Sequence, residues 1–264
     1  MIPGDILTRI PGCEDGQPPQ VMQPLAGGRG CNAVWRIETT RGWFVLRMRG
    51  EPVDRPGSRA RNELAAHRIA AAAGLAPALL DAADDGRWLL MEHVSGKPWN
   101  EAWLQSAWGL DALGRCLREL HCLSPPSALR PVDPVAIAAG YVEQAAMGDP
   151  GRLRELEPQV RAVEAAAAQL SGTNRLVLNH GDLQAANLLG PAPVLVDWEY
   201  SQCADPTWDL ACLLEYYPGL KSRRHAVLEA CGMDPAADGE ILSCQEGLFA
   251  RLNALWSLTQ PGAG

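Results

Sequence analysis

The sequence predicts an α+β chain of two unequal lobes: a small antiparallel sheet with one main helix, then a larger, mostly helical lobe. Three observations point there. Strand-like alternation and tight turns are concentrated before residue 95, and apolar residues at helical spacing fill most of the chain beyond it. A strand, a polar loop and a second strand then interrupt the helical part at 176–200. The domain boundary therefore falls near 95, giving lobes 1–95 and 96–264.

At 264 residues the chain is long enough to bury a sizeable core. Apolar and charged contents of 47% and 20% are those of a globular protein. A net charge of −8 with no Lys/Arg-rich run argues against a nucleic-acid or anionic-membrane surface. The N-terminus has no charged leader followed by an apolar core, and no stretch approaches ~18 consecutive apolar residues. A cytoplasmic protein without membrane insertion is expected. The eight cysteines are scattered with no Cys-x-x-Cys pair, so reduced, buried thiols are expected rather than zinc ligands or disulfides.

Residues 1–20, rich in Pro and Gly, start as irregular coil or a short helix. Leu25 to Asn32 is a glycine-rich turn between extended segments. Ala33 to Thr39 and Trp43 to Met48 form a hairpin turned at Arg41-Gly42. Alternation puts Phe44, Leu46 and Met48 on one face and Val45 and Arg47 on the other, with Arg49 facing the same way as Arg47. Ser58 caps a helix that runs to about Ala73 and is stopped by Gly74. Pro77 to Ala82 and Arg87 to Val94 are strands split by an Asp84-Asp85-Gly86 turn, and the second ends at Ser95-Gly96.

The second lobe opens with Trp99, Trp103 and Trp108. Leu110, Leu113, Leu117 and Leu120 recur at helical spacing, so they are core, and the helix ends on His121, a packed, hydrogen-bonded histidine. A Pro-rich loop (Pro125 to Pro134) and helices at about 135–147 and 152–170 come next. Asp205 to Ala211 opens a further helix, and about 221–231 and 238–258 are helical.

Between them lies the most informative stretch. Leu176 to Leu178 forms a short strand that delivers His180, Asp182 and Asn187 onto a loop. A Gly190-Pro191-Ala192-Pro193 turn and a second run, Val194 to Val196, then deliver Asp197. Taken singly, each polar residue reads equally as a loop cap or a strand end. Together, an Asp, an Asn five residues on and a second Asp after a further strand form the layout of kinase-type phosphoryl transfer.

The run His180-Gly181-Asp182-Leu183-Gln184-Ala185-Ala186-Asn187-Leu188-Leu189, with Val194 to Tyr200 after it, resembles the aminoglycoside phosphotransferase and choline kinase superfamily, which has a bilobal protein kinase-like fold. Asp197-Trp198-Glu199-Tyr200 and Gln184 are similar to its choline/ethanolamine and thiamine kinase branch. His180-Gly181-Asp182 is equally at home in the aminoglycoside branch. The resemblance implies ATP and Mg²⁺ as cofactors. The acceptor it implies is the hydroxyl of a small cationic alcohol such as choline, ethanolamine or thiamine. An aminoglycoside or sugar hydroxyl is the alternative, and a nucleotide-binding pseudokinase lies outside both. No Ala-Pro-Glu activation segment is present, so a protein substrate is not expected.

The same pattern implies roles. Asp182 takes the acceptor proton, His180 braces its loop, and Asn187 and Asp197 hold Mg²⁺. The chain's only lysines are Lys97 and Lys221, so the strand cation for the phosphates is Arg47, with Arg49 its rival. Glu63 orients that arginine. Gly27, Gly28, Arg29 and Asn32 approach the phosphates, although a glycine-rich hairpin loop is by itself only a turn. Glu92, His93 and Val94 read adenine through their backbone. Gln184, Glu199, Tyr200, Trp208 and Glu215, with Tyr216 and Tyr217, cluster near the acceptor, where aromatic faces and carboxylates suit a cation. Trp208 serves equally as core. Asp209 braces the catalytic loop.

Overall fold

The computed structural model describes residues 2–25, 32–50, 54–147, 149–170 and 175–260. A short helix, α1 (Gly4–Leu7), precedes a five-stranded antiparallel sheet. Its strands are β1 (Val21–Pro24), β2 (Ala33–Thr39), β3 (Gly42–Met48), β4 (Leu79–Ala82) and β5 (Trp88–Glu92), in spatial order β1-β2-β3-β5-β4. Pro24, which cannot donate to a ladder, lies on the edge strand. Strand β3 is central, and Arg47 stands opposite Val34 on one side and Leu89 on the other, so its backbone is paired on both edges.

The alternation along β3 sorts its side chains as its sequence demands. Phe44 and Leu46 pack with Ile6, Ile10, Ile37 and Leu90 on the face that α1 covers. Val45 faces the opposite way, toward Leu64, Leu89 and Met91 under helix α2 (Ala60–Ala72). That helix starts differently from expectation. Asp54 Oδ1 accepts the Ala60 N–H at 3.0 Å, while Ser58 is buried and its Oγ accepts from Arg49 Nη2 at 2.8 Å. A buried guanidinium beside Ser58 outcompetes the helix end for its hydroxyl.

The larger lobe is built from α3 (Glu101–Gln105), α4 (Ala107–Cys122), α5 (Pro134–Ala145) and α6 (Pro150–Ala168), and then from α7 (Thr207–Tyr216), α8 (Arg224–Ala230) and α9 (Pro235–Ser257). Leu110, Leu113, Leu117 and Leu120 of α4 join the main core with α7 and α9. Trp99, Trp103 and Trp108 meet one another with ring centroids 5.5 to 5.9 Å apart. Between α6 and α7 the chain forms two small ladders, β6 (Val177–Asn179) with β9 (Gln202–Ala204) and β7 (Leu188–Leu189) with β8 (Val194–Leu195). These carry the polar loop. The seven described cysteines are free thiols, Cys122 exposed among them. No helix among the described residues is long and apolar enough to cross a membrane.

Candidate active site

Strand β6 ends at Asn179, and the next residues are fixed by α7. Asp209 is fully buried on its first turn. Its carboxylate accepts the N–H of His180 at 3.2 Å and of Gly181 at 2.8 Å, and the His121 Nε2 lies 3.0 Å from the same group. Gly181 has φ +77°, and a Cβ there would stand 2.3 Å from the Tyr200 carbonyl oxygen, so the loop requires glycine at this point.

His180 uses both ring nitrogens. Its Nδ1 accepts the Asp182 N–H at 3.3 Å, which places the proton on Nε2, and that nitrogen donates to the Val196 carbonyl at 3.0 Å. The ring also packs edge-on against Trp198 at 4.7 Å. It ties the Asp182 loop to the residue after β8. Beyond β8, Asp197 is the one non-glycine residue with positive φ among the described residues (φ 66°). Such a conformation costs about 1–3 kcal/mol and persists only where neighbours over-determine it. Here Val196 donates to the Asn187 carbonyl on one side, and the Trp198–Tyr200 turn closes on the other.

Asp182 is 7% exposed. Its Oδ1 accepts from Gln184 Nε2 at 3.0 Å and its Oδ2 from Asn187 Nδ2 at 2.9 Å. Burial pushes the carboxyl above its ordinary range; the Gln184 bond opposes this, and the nearby Asp197 charge adds to it. Asn187 Nδ2 also donates to the Asp182 carbonyl at 3.0 Å, so the planar amide turns its oxygen away from Asp182.

From the smaller lobe, Arg47 reaches across with Nη2 2.8 Å from Asp197 Oδ1 and 2.9 Å from Glu199 Oε2, while its Nη1 contacts Glu63. Arg49 is not displaced by this. Its Nε lies 2.8 Å from Glu63 Oε2, so one buried carboxylate serves both arginines, and burial lowers the Arg49 guanidinium to about 10. The two candidates for the strand cation thus share one partner, which spacing alone does not reveal.

The other predicted positions scatter. Gly27, Gly28 and Arg29 lie outside the described residues. Asn32 donates to Glu199 at 2.8 Å and accepts from Arg55 at 3.3 Å. Glu199, expected beside the acceptor aromatics, instead faces the arginines, because the reversal at Asp197 aims it at the smaller lobe. Trp208 is 3% exposed and packs edge-on with Phe249 in the core. At the hinge, the Glu92 N–H is taken by the Ala78 carbonyl and the His93 N–H by that of Trp43, so these two amides are committed within the sheet.

Tyr200 and Tyr216 lie within the field of the Asp182 charge. Glu215 lies 3.4 Å from Asn253 and 3.9 Å from Lys221, and the Tyr200 hydroxyl accepts from Trp256 Nε1 at 3.2 Å. Trp256 and Asn253 come from α9, and Tyr141 of α5 stands in the field of Tyr200, Glu199 and Asp182. None of these three belongs to a motif; only the tertiary fold brings them here.

A sheet lobe and a helical lobe meeting across an arginine–carboxylate cluster, with a buried aspartate loop beneath it, define a kinase-like phosphotransferase. The phosphotransferase enzyme family matches residues 21–240, and the chain belongs to that family. The fold is shared with a choline/ethanolamine kinase family protein from Mesorhizobium loti (23% identity, 97% of this chain and 84% of that chain, TM-score 0.72). It is shared with choline kinase LicA from Streptococcus pneumoniae (17%, 98% and 91%, 0.77). An aminoglycoside phosphotransferase from Streptomyces rimosus is also similar (20%, 96% and 97%, 0.62). Comparison with curated proteins finds no match.

Proposed function

We propose that the protein is an ATP- and Mg²⁺-dependent kinase of a small cationic alcohol, with choline, ethanolamine and thiamine the first candidates. Lobe 1–95 holds the nucleotide, and lobe 96–264 supplies the chemistry and the acceptor site. The observation that carries this reading is the setting of Asp182: its carboxylate is bonded by Asn187, Asp197 lies near it and is itself bonded to Arg47, and Tyr200 and Tyr216 lie within its field.

The donor set suits Mg²⁺. Two guanidiniums (Arg47, Arg49) face three carboxylates (Glu63, Asp197, Glu199), so negative charge is in excess. Asn187 and Asp197 offer hard oxygens, and Mg²⁺ takes only one or two such protein ligands beside phosphate and water. Those two residues would hold the ion, which would supply neutralising charge to the transferring phosphoryl group. Arg47, carrying its charge on a rigid central strand, supplies the cation for the phosphates.

Asp182 orients the acceptor hydroxyl and takes its proton as the oxygen attacks the γ-phosphorus and ADP leaves. Desolvation raises its basicity for that task. Glu215 and the faces of Tyr200 and Tyr216 attract a cationic group by Coulomb and cation–π terms.

ADP release with Mg-ATP across choline, ethanolamine, thiamine, kanamycin and N-acetylhexosamines tests this. Turnover with a cationic alcohol, with the acceptor KM raised in Glu215→Gln, is expected. Turnover only with the aminoglycoside or sugar overturns the acceptor class. ATP binding without turnover of any acceptor supports the pseudokinase instead.

A further inference from the structure

The loop that carries Asp182 is fixed through its backbone, and every N–H from His180 to Ala185 has an acceptor. Asp209 takes those of His180 and Gly181, and the His180 ring takes that of Asp182. Cys212 takes that of Leu183, the Asp182 carbonyl that of Gln184, and the Tyr217 hydroxyl that of Ala185. Asp209 and Cys212 stand at i and i+3 on one face of α7, and Tyr217 follows at its end. Cys212 alone among these three touches both sides of Asp182. Its Sγ lies 3.2 Å from the Leu183 nitrogen and 3.6 Å from the Gly181 carbonyl oxygen, so one atom spans the two peptide groups that flank the base.

The thiol is fully buried, and Gly181 and Leu183 are buried with it. At that depth bulk water offers no substitute partner, and an unpaired N–H is costly. Burial raises the thiol's ionisation well above its ordinary value, so the sulfur keeps its proton. It donates to Gly181 while accepting from Leu183. The neighbouring buried residues of α7, Leu210, Ala211, Leu213 and Leu214, are hydrocarbon. An apolar side chain at 212 would fill the same space and leave both peptide groups unbonded.

Gln184 on Oδ1 and Asn187 on Oδ2 fix the Asp182 carboxylate relative to its own loop. Where that loop stands against the helical lobe is set from α7: Asp209 holds it before Asp182, Tyr217 after it, and Cys212 at Asp182 itself. Misplacement of a reacting group by about 1 Å costs on the order of 10²-fold in rate.

We propose that Cys212 is a positioning residue for phosphoryl transfer: its thiol, bonded to the peptide group on either side of Asp182, sets where that carboxylate meets the acceptor hydroxyl. The inference rests on Asp182 being the base.

Two variants separate bonding from packing. Cys212→Ser keeps a donor and an acceptor on a shorter side chain, and Cys212→Val keeps apolar bulk and has neither. ADP release from Mg-ATP is followed with choline, ethanolamine and thiamine and with water as the acceptor. The kcat is normalised to Mg-ATP binding sites, so that loss of folded protein does not enter. Cys212→Val is expected to lower kcat about 10- to 100-fold at unchanged KM for ATP, and Cys212→Ser by less than about fivefold. In an Asp182→Asn background Cys212→Val adds less than about twofold, because the group it positions is gone. Full kcat in Cys212→Val, a Cys212→Ser as slow as Cys212→Val, or the same loss in both backgrounds overturns the proposal. Undiminished turnover in Asp182→Asn sinks the base assignment itself; an inactive Asp182→Asn beside an unimpaired Cys212→Val sinks only the role of Cys212.

Discussion

Arg47 of the sheet lobe lies 2.8 Å from Asp197 of the helical lobe, so the two halves of the site are joined by a charged hydrogen bond. Behind it, Glu63 is 1% exposed and anchors both Arg47 and Arg49. Glu63 therefore ties together the two arginines that the smaller lobe brings to the site.

Glu63→Gln removes the nearest anion from two buried guanidiniums and leaves them sharing Glu199, 2.9 Å from Arg47 and 4.0 Å from Arg49. Removing one partner of a buried ion pair costs about 3–5 kcal/mol. Denaturant unfolding should show a loss of that size. The KM for ATP should rise by about tenfold or more, equivalent to ~1.4 kcal/mol. A stable variant with unchanged KM contradicts the shared-anchor arrangement.

Gly181→Ala must both adopt a left-handed φ and move the Tyr200 carbonyl out of the new methyl group's way. A loss of about 2–4 kcal/mol is expected, with turnover falling because Asp182 is the next residue. Gly239→Ala on α9 is the control. A Cβ there meets nothing within 4 Å, and the helix should gain roughly 0.5–1 kcal/mol. Thermal melts separate the two.

His67 on α2 is buried with Nε2 2.8 Å from the Pro77 carbonyl. Burial lowers its ionisation below the ordinary histidine value; the Pro77 bond opposes this and the Arg47 charge adds to it. The neutral ring is the folded form, so below about pH 6.5 the unfolded chain binds the extra proton and stability falls with pH. Unfolding free energies from about pH 7 to 5 should decline less steeply in His67→Gln, which keeps a donor for Pro77. Equal slopes would exclude His67 as a contributor.

Where side chains act through local geometry, the sequence was a sufficient guide. The β2–β3 hairpin and the α4 leucine stripe both derive from chain periodicity and turn residues. The features that escaped it depend on partners distant in the chain. Glu199 and Trp208 have the composition of an acceptor site, but the reversed backbone at Asp197 turns one toward Arg47, and Phe249 covers the other. Ser58 has the residue type of a helix cap, yet the buried Arg49 claims it. Tyr141, Asn253 and Trp256 enter from α5 and α9 with no signature, since only packing of those helices brings Tyr141 into the field of Asp182, Asn253 to Glu215 and Trp256 to Tyr200.

The most direct test of phosphoryl transfer through Asp182 is ADP release by Asp182→Asn, alongside calorimetric Mg-ATP binding. Removing a general base costs about 10²–10⁴-fold, so kcat should fall within that range while ATP still binds. Full turnover by Asp182→Asn, with ATP bound as in the unaltered protein, would contradict the assignment of Asp182 as the group that receives the acceptor proton.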